Sequence, residues 1–385
     1  MNVFSLKTKL CIGEDALVFL HTLPDGAVVV ITDSYMVRSG IVQTVTKPLE
    51  DDGRRCEIFS DIEAEPSVDT VAAGVRMLLS VKPAAVVALG GGAAMDAAKA
   101  MVYFCRQLRQ KEGDVFSPLF IAVPTTSGTG SEVTSYAVIH DTERGVKIPL
   151  SHESMLPDVA VLDPNYTRTL PPAVIANTGM DVLTHAIEAF VSPAANDFTD
   201  MYAAEAVRLC LENLSALYTD AAPSSPRGRM HSASTMAGIA FTNAGLGLCH
   251  GIAHTVGAMF HLPHGKANAV ILPYVMLFNA GLGKCRGQGV PGRYAALALR
   301  TGFSGPSEPQ LCRQLIRTVC ALRRSFDIPA SFAGCGIGAE EFSRALPEMV
   351  GNVQSDRCTQ ANPVPVGDEA LSQLLRDIFD GRLEV

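Results

Sequence analysis

Four of the nine histidines of this 385-residue chain fall in one stretch, Asn243 to Ala269, which reads N-A-G-L-G-L-C-H-G-I-A-H-T-V-G-A-M-F-H-L-P-H-G-K-A-N-A. Between Cys249 and Phe260 the apolar positions recur at helical spacing, which sets His250 and His254 one turn apart on one helix face. Pro263 stops that helix, and His264 is expected to return on the loop that follows. Imidazoles held this close restrict the local fold to segments that converge on one point. They suit a divalent transition metal, which takes neutral ring nitrogens and commonly a carboxylate. A single histidine beside an apolar helix is usually a hydrogen-bonded core or surface residue. Four between His250 and His264, in a chain otherwise poor in histidine, call for more than that.

A second stretch, T-G-M-D-V-L-T-H-A-I-E-A-F from Thr178 to Phe190, supplies the carboxylate. Asp181 and His185 are four apart and share a helix face. Thr178 and Asp181 also fit a helix-capping pair, the hydroxyl at the N-cap and the carboxylate three residues on. Capping has no use for His185, so metal binding is the favoured reading.

The length fits two domains, each able to bury a full core. With 48% hydrophobic and 18% charged residues the chain reads as a well-packed globule, and a net charge of −8 argues against nucleic acid or an anionic membrane surface as partner. The ten cysteines lack paired C-x-x-C spacing, the first ten residues carry no apolar signal-peptide core, and no apolar run reaches the ~18 residues of a membrane span. A cytoplasmic protein with reduced thiols is expected.

The first half alternates strand-like and helix-like segments. Ala27 to Thr32, Ala84 to Leu89, Leu119 to Val123 and Val159 to Leu162 are short apolar runs of the kind that form buried parallel strands. Pro66 and Ser67 open a helical pattern with Val71, Val75, Leu78 and Leu79 on one side. With no hairpin signals, this order predicts a parallel α/β sheet covered on both faces, with ligands at the carboxyl ends of the strands.

Two loops at such ends stand out. G-G-G-A-A-M-D-A-A-K, Gly90 to Lys99, runs three glycines straight into a helix, where the backbone can approach a pyrophosphate and the helix N-terminus offers free N–H donors. A glycine turn made only for close packing is the rival, and the G-x-G-x-x-G fingerprint is absent. P-T-T-S-G-T-G-S-E-V-T, Pro124 to Thr134, is rich in hydroxyls and unhindered N–H groups. Two such loops at two strand ends favour a nucleotide cradle. Asp33, closing the first strand, is placed to accept from a ribose diol and to repel a 2′-phosphate, which favours NAD over NADP.

From about Pro171 helical periodicity takes over, in Thr178 to Val191, Asp200 to Tyr218, Arg229 to Phe241, His250 to Phe260, Ala267 to Phe278, Gln310 to Phe326 and Asp368 to Phe379. The expected division is an α/β nucleotide-binding domain over 1–172 and an all-helical metal-binding domain over 173–385, with a cleft between nucleotide and metal.

Together the two loops, the Thr178 stretch and the span from Gly245 to Ala269 resemble the iron-dependent, group III alcohol dehydrogenases, in family order and spacing over nearly the whole chain. Within that family, the opening N-V-F-S-L-K-T and the stretch A-N-T-G-M-D-V-L-T-H-A-I-E-A-F-V-S-P-A-A-N-D-F-T-D are most similar to the propanol dehydrogenases of bacterial microcompartments. The resemblance implies a Rossmann-like parallel sheet followed by a helical domain, the dehydroquinate synthase-like architecture. It also implies Asp181, His185, His250 and His264 as metal ligands, with Fe(II) as the metal and Zn(II) an alternative by affinity. His254 takes the place of the family histidine that moves a proton near the nicotinamide; spacing by itself leaves it a candidate ligand. Asp33, Gly91, Gly92, Ala93, Asp96, Thr125, Thr126, Thr129, Thr134 and Lys147 match positions that contact NAD(H). His261 has no role to transfer.

Three departures from the family are visible. Ala93 stands where serine is frequent after the glycines, Glu65 where asparagine can precede Pro66, and Val364 follows N-P where arginine is frequent.

The implied reaction is exchange of hydride between a short aliphatic alcohol or aldehyde and NAD(H), with the metal polarising the oxygen and His254 relaying the proton. Phe241, Leu246 and Cys358 match pocket-lining places and make the pocket apolar. Apart from Lys266, no lysine or arginine lies among the metal motifs, which weighs against carboxylate or phosphate substrates. Propanal and 1-propanol are the expected pair, with acetaldehyde, lactaldehyde and butanal as neighbours. An NAD- and metal-dependent lyase would carry more basic residues for its phosphate, and a metallohydrolase would have no use for the nucleotide loops. A homo-oligomer of two or more subunits and contact with a microcompartment shell are expected from the same resemblance.

Overall fold

The computed structural model describes residues 3–111, 113, 116–144, 146–219, 224–282 and 289–385. The chain divides into two compact units, Ser5–Leu170 and Pro171–Val385 with Met1–Phe4. Phe4 therefore belongs with the helical unit, where its ring stacks on Phe198 and Tyr202 at centroid distances of 5.4 and 6.0 Å, and not with the α/β domain that a span of 1–172 implies.

In Ser5–Leu170 eight strands are named in chain order: β1 (Lys9–Ile12), β2 (Val28–Asp33), β3 (Cys56–Ile62), β4 (Ala85–Gly90), β5 (Leu119–Pro124), β6 (Tyr136–Asp141), β7 (Val146–Ser151) and β8 (Val159–Leu162). Between them run α1 (Ser34–Arg38), α2 (Gln43–Asp51), α3 (Val68–Val81) and α4 (Gly92–Lys111). Six strands form one sheet in the order β1-β8-β5-β4-β2-β3, every pair parallel.

The apolar runs are buried on both sides because alternate residues enter different cores. Val29, Ile31, Val86, Ala88, Phe120 and Ala122 pack with α3 and α4 through Val75, Leu78 and Met101. Val28, Val30, Val87, Leu89, Ile121 and Val123 pack on the other face with Leu20, Val45 and Leu49. Ser67 caps α3 by accepting from the Thr70 N–H at 3.1 Å, as its position before the helical pattern implies.

A hairpin departs from the expected all-parallel order. β6 and β7 pair antiparallel as a separate ribbon. In β6 only Ala137 and Ile139 are buried while Tyr136 and Val138 are exposed, so the run is half polar and lacks the continuous apolar signal of the sheet strands. β1 and β3 escape the sequence reading for the same reason, both being edge strands of mixed burial.

The second unit contains α5 (Pro172–Val191), α6 (Asp197–Tyr218), α7 (Ser224–Ala244), α8 (Leu248–Phe260), α9 (His264–Asn279), α10 (Pro291–Arg300), α11 (Glu308–Ser325), α12 (Ala339–Ser355), α13 (Arg357–Gln360) and α14 (Asp368–Asp380). Among its described residues there is no strand, and no single helix is long and apolar enough to cross a membrane. Two sequence expectations are corrected here. Thr178 lies in the interior of α5, which starts at Pro172, and its hydroxyl donates back to the Val174 carbonyl at 2.8 Å, so it caps nothing. His264 is the first residue of α9, not part of a loop; the loop is only His261 to Pro263, with His261 in the left-handed region at φ 53°. Every cysteine among the described residues is a free thiol.

Candidate metal centre and nucleotide loops

Three helices of the second unit bring four side chains to one point. α5 presents Asp181 and, one turn on, His185; α8 presents His250 from its first turn; α9 presents His264 at its start. Close backbone approach makes this convergence possible. A Cβ on Gly265 would lie 2.2 Å from the Asn177 carbonyl oxygen, so glycine is what lets the start of α9 lie directly on α5.

The ligand atoms of Asp181, His185, His250 and His264 all lie within 4.8 Å of one another. Asp181 Oδ1 is 3.9, 3.7 and 3.6 Å from the Nε2 atoms of His185, His250 and His264. Ligands at about 2.0–2.1 Å around a tetrahedral cation are spaced about 3.4 Å apart, so Asp181 and each imidazole come within a few tenths of an ångström of the spacing of two ligands on one ion. The His185 and His250 rings stack at 4.6 Å with 14° between their planes.

The electrostatics fit the same group. Burial alone would raise the Asp181 carboxyl, but His185, His264 and His250 outweigh it and hold the group well below the usual carboxylate range. Desolvation, followed by the neighbouring imidazoles, lowers His264 even though 43% of its side chain is open, which leaves its ring neutral and able to ligate. The donor set of one carboxylate and three imidazoles suits Fe(II) or Zn(II).

Three further residues support the cluster and are not singled out by motif or spacing. Glu188, buried at 3% exposure, places Oε2 2.6 Å from His250 Nδ1 and accepts the Cys249 N–H on Oε1 at 2.7 Å. One carboxylate thus orients the His250 ring and caps α8, whose N-cap residue, Gly247, has no side chain to do so. Its position seven residues after Asp181, on the same helix face, was the available signal. Asn268 donates to Asp181 Oδ1 at 2.7 Å, and its amide nitrogen stands 3.2 Å from Nε2 of both His250 and His264. Asn362 accepts the Leu248 N–H at 3.1 Å from a loop more than a hundred residues away, a contact with no local sequence signal.

His254 lies one turn beyond His250 with 45% of its side chain exposed, and its ring stacks on His264 at 5.5 Å. It is outside the four-residue set. Its Nδ1 pairs with Asp356 Oδ2 at 2.9 Å. His261 closes α8 as its C-cap.

In the first unit the two loops face each other. A Cβ on Gly92 would stand 2.9 Å from Thr129 Cγ2, and one on Gly91 3.4 Å from Thr126 Cγ2. Gly90, at φ 152°, turns β4 into α4, and the Thr125 N–H donates to its carbonyl at 3.0 Å. The N-terminus of α4, with Gly92 and the half-buried Ala93, therefore opens beside the hydroxyl loop, an arrangement suited to a pyrophosphate.

Other candidate contacts carry structural duties. Asp33 Oδ1 caps α1 by accepting from Tyr35 and Met36 N–H groups at 2.8 and 3.0 Å; its Oδ2 lies 3.7 Å from where a Gly90 Cβ would stand. Asp96 accepts from Ser131 Oγ at 2.9 Å and from the Val138 N–H at 3.0 Å, and Thr134 Oγ1 accepts from Lys99 Nζ at 2.9 Å. Lys99 is itself fully buried, and ties α4 to Ser131 Oγ and the Tyr136 carbonyl as well. Lys147, on β7, is paired with Glu65 at 2.5 Å.

Residues 7–164 match the iron-containing alcohol dehydrogenase family, and residues 175–379 match the C-terminal region of the Fe-containing alcohol dehydrogenase family. This chain belongs to the iron-containing alcohol dehydrogenases. It is a nicotinamide-dependent oxidoreductase of that type, with the dehydroquinate synthase-like fold. The 1-propanol dehydrogenase PduQ of Salmonella typhimurium is 41% identical over 98% of this chain and all of its own length. The NADPH-dependent butanol dehydrogenase of Clostridium saccharobutylicum is 35% identical over 99% of both. The solved iron-containing alcohol dehydrogenase of Thermococcus thioreducens superposes with a TM-score of 0.87 at 32% identity, covering 99% of this chain and 100% of that one.

Proposed function

We propose that this iron-containing alcohol dehydrogenase interconverts propanal and 1-propanol with NAD(H), holding Fe(II) between Asp181, His185, His250 and His264. The observation that carries the reading is the apolar ring against the metal cluster: the Phe241 ring stacks on His185 at 4.6 Å, and the charged side chains bonded to His250 and His254 are the carboxylates Glu188 and Asp356. An apolar ring there fits a short alkyl chain, while an anionic substrate would meet like charge. The likeness to a 1-propanol dehydrogenase supports the same chain length.

When bound, the cation supplies Lewis acidity toward the substrate oxygen and the nicotinamide exchanges hydride. Asp181 contributes one negative charge and the imidazoles none, so the ligand set leaves a divalent ion net positive. Glu188 fixes the His250 ring with Nε2 toward the cluster. His254, donating Nδ1–H to Asp356, keeps Nε2 to give or take the substrate proton, and its exposure lets that proton exchange with solvent. Asp33 at the end of β2 supports NAD over NADP, since its carboxylate disfavours a 2′-phosphate nearby. Gly91, Gly92, Ala93, Asp96, Thr125, Thr126, Thr129, Thr134 and Lys147 complete the proposed coenzyme contacts. A homo-oligomer and residence in a bacterial microcompartment belong to the same reading.

The test is turnover of anaerobically iron-loaded enzyme with acetaldehyde, propanal, butanal and lactaldehyde, each with NADH and NADPH. Fastest reduction of propanal with NADH is expected. Reduction of a phosphorylated sugar with none of these aldehydes accepted would reject the reading, and a preference for NADPH would reject the role of Asp33. His254→Ala should keep its metal while turnover falls by about 10²-fold or more.

A further inference from the structure

A second group of metal-ligating atoms lies beside the first. One ligand atom each from His254, Asp356 and Cys358 falls within 4.8 Å of the others, and the three side chains are exposed or half-buried, so the group is open to ions from solvent. The elements that make it are independent: His254 comes from α8, while Asp356 and Cys358 flank the start of α13. Gly251 lets these elements touch, because a Cβ there would lie 2.0 Å from Thr359 Oγ1. Asp356 holds the group together, with Oδ2 2.9 Å from His254 Nδ1 and Oδ1 accepting the Cys358 N–H at 2.8 Å.

We propose that His254, Asp356 and Cys358 form an inhibitory site for a thiophilic divalent cation, Zn(II) above all. The inference rests on the reading of His254 as the proton carrier. A thiolate, an imidazole and a carboxylate leave a fourth tetrahedral position for water and select zinc-like ions over magnesium or calcium. Burial and Asp356 push the Cys358 thiol up, so the thiol is protonated until a cation displaces the proton. On binding, the S–H proton leaves to solvent as the sulfur–metal bond forms, the His254 Nδ1 proton shifts through solvent to Nε2 so that the freed Nδ1 lone pair takes the cation in place of the hydrogen bond to Asp356, and nothing is oxidised or reduced. With the cation on Nδ1 and the remaining proton on Nε2, the ring can no longer take a proton from the substrate, and a second positive charge stands next to His264, whose ring lies 5.5 Å from that of His254. Excess zinc then acts as a brake on the enzyme at a place separate from its four-ligand metal.

Cobalt(II) distinguishes the two sites, because only the second contains sulfur. Added to metal-free enzyme, the first equivalent should give visible d–d bands alone. The second should add a near-ultraviolet thiolate-to-cobalt charge-transfer band that Cys358→Ser abolishes while the first equivalent still binds. Zinc added to enzyme carrying one equivalent of iron should lower turnover by about 10²-fold, the contribution of a general acid–base group, reversibly by chelator and not in Cys358→Ser relative to that variant's own zinc-free rate. A first equivalent that binds with no sulfur band at the second, or zinc inhibition undiminished in Cys358→Ser, would overturn the proposal and leave the four-ligand centre standing. Failure of the first equivalent to bind would instead count against the metal centre itself.

Discussion

Glu188 Oε2 lies 2.6 Å from His250 Nδ1, while the other oxygen of the same carboxylate caps the helix that carries His250. Burial works against a charged His250, yet Glu188 and Asp181 raise it to about 9, so the ring is held as a strong, oriented base. Glutamine at 188 can serve only one of the two N–H donors. Glu188→Gln should therefore weaken metal binding by about 10–100-fold, read by competition with a chelator, with the helical content intact. Unchanged metal affinity would show that the carboxylate only caps α8.

Gly265 tests the convergence of helices. The Gly265→Ala methyl meets the Asn177 backbone carbonyl at 2.2 Å, where no flexible side chain can yield, so α9 must lift from α5 and carry His264 with it. A loss of about 1–3 kcal/mol in unfolding free energy is expected, together with weaker metal binding. Thermal melting with and without metal measures both.

Gly92 tests the nucleotide loops by themselves. An alanine there presses on Thr129 Cγ2 at 2.9 Å and covers the first turn of α4. NADH affinity, followed by fluorescence titration, should fall about tenfold, equivalent to about 1.4 kcal/mol. Metal affinity should not move, because the four ligands fold in the other unit.

Lys99 gives a pH dependence. Burial lowers its ammonium to about 8, against the raising influence of Asp96 and Glu132. Between about 8 and the 10.5 of an ordinary lysine the unfolded chain binds more protons than the folded one, so stability rises with pH across that window. Below pH 8 the cost of the buried charge is fully present. Denaturant titrations of wild type and Lys99→Met should diverge in slope between pH 8 and 10.5, by at most about 3 kcal/mol in total. Parallel curves would place the proton elsewhere in the Asp96 network.

Much of the first unit was legible because its central strands are buried on both faces and so are apolar at every position, as in Val28 to Ile31 and Ala85 to Leu89. The hairpin of β6 and β7 and the edge strands β1 and β3 were not, since one exposed side dilutes the signal with polar residues. Thr178 misled for a related reason: a threonine three residues before an aspartate looks like a cap wherever it stands, and only the start of α5 at Pro172 shows that it is interior.

The sequence by itself determined the local chemistry: which residues can ligate, their spacing of four along a helix, the glycines that end β4 and the hydroxyls that follow β5. Those facts follow from residue type and helical period, which act over a few residues. Only the tertiary structure decided that Glu188 reaches His250, that Asn268 bonds Asp181, and that Asp356 and Cys358 arrive at His254. Such contacts join helices through the packing of whole surfaces, and no periodicity in a single segment records where another segment comes to rest.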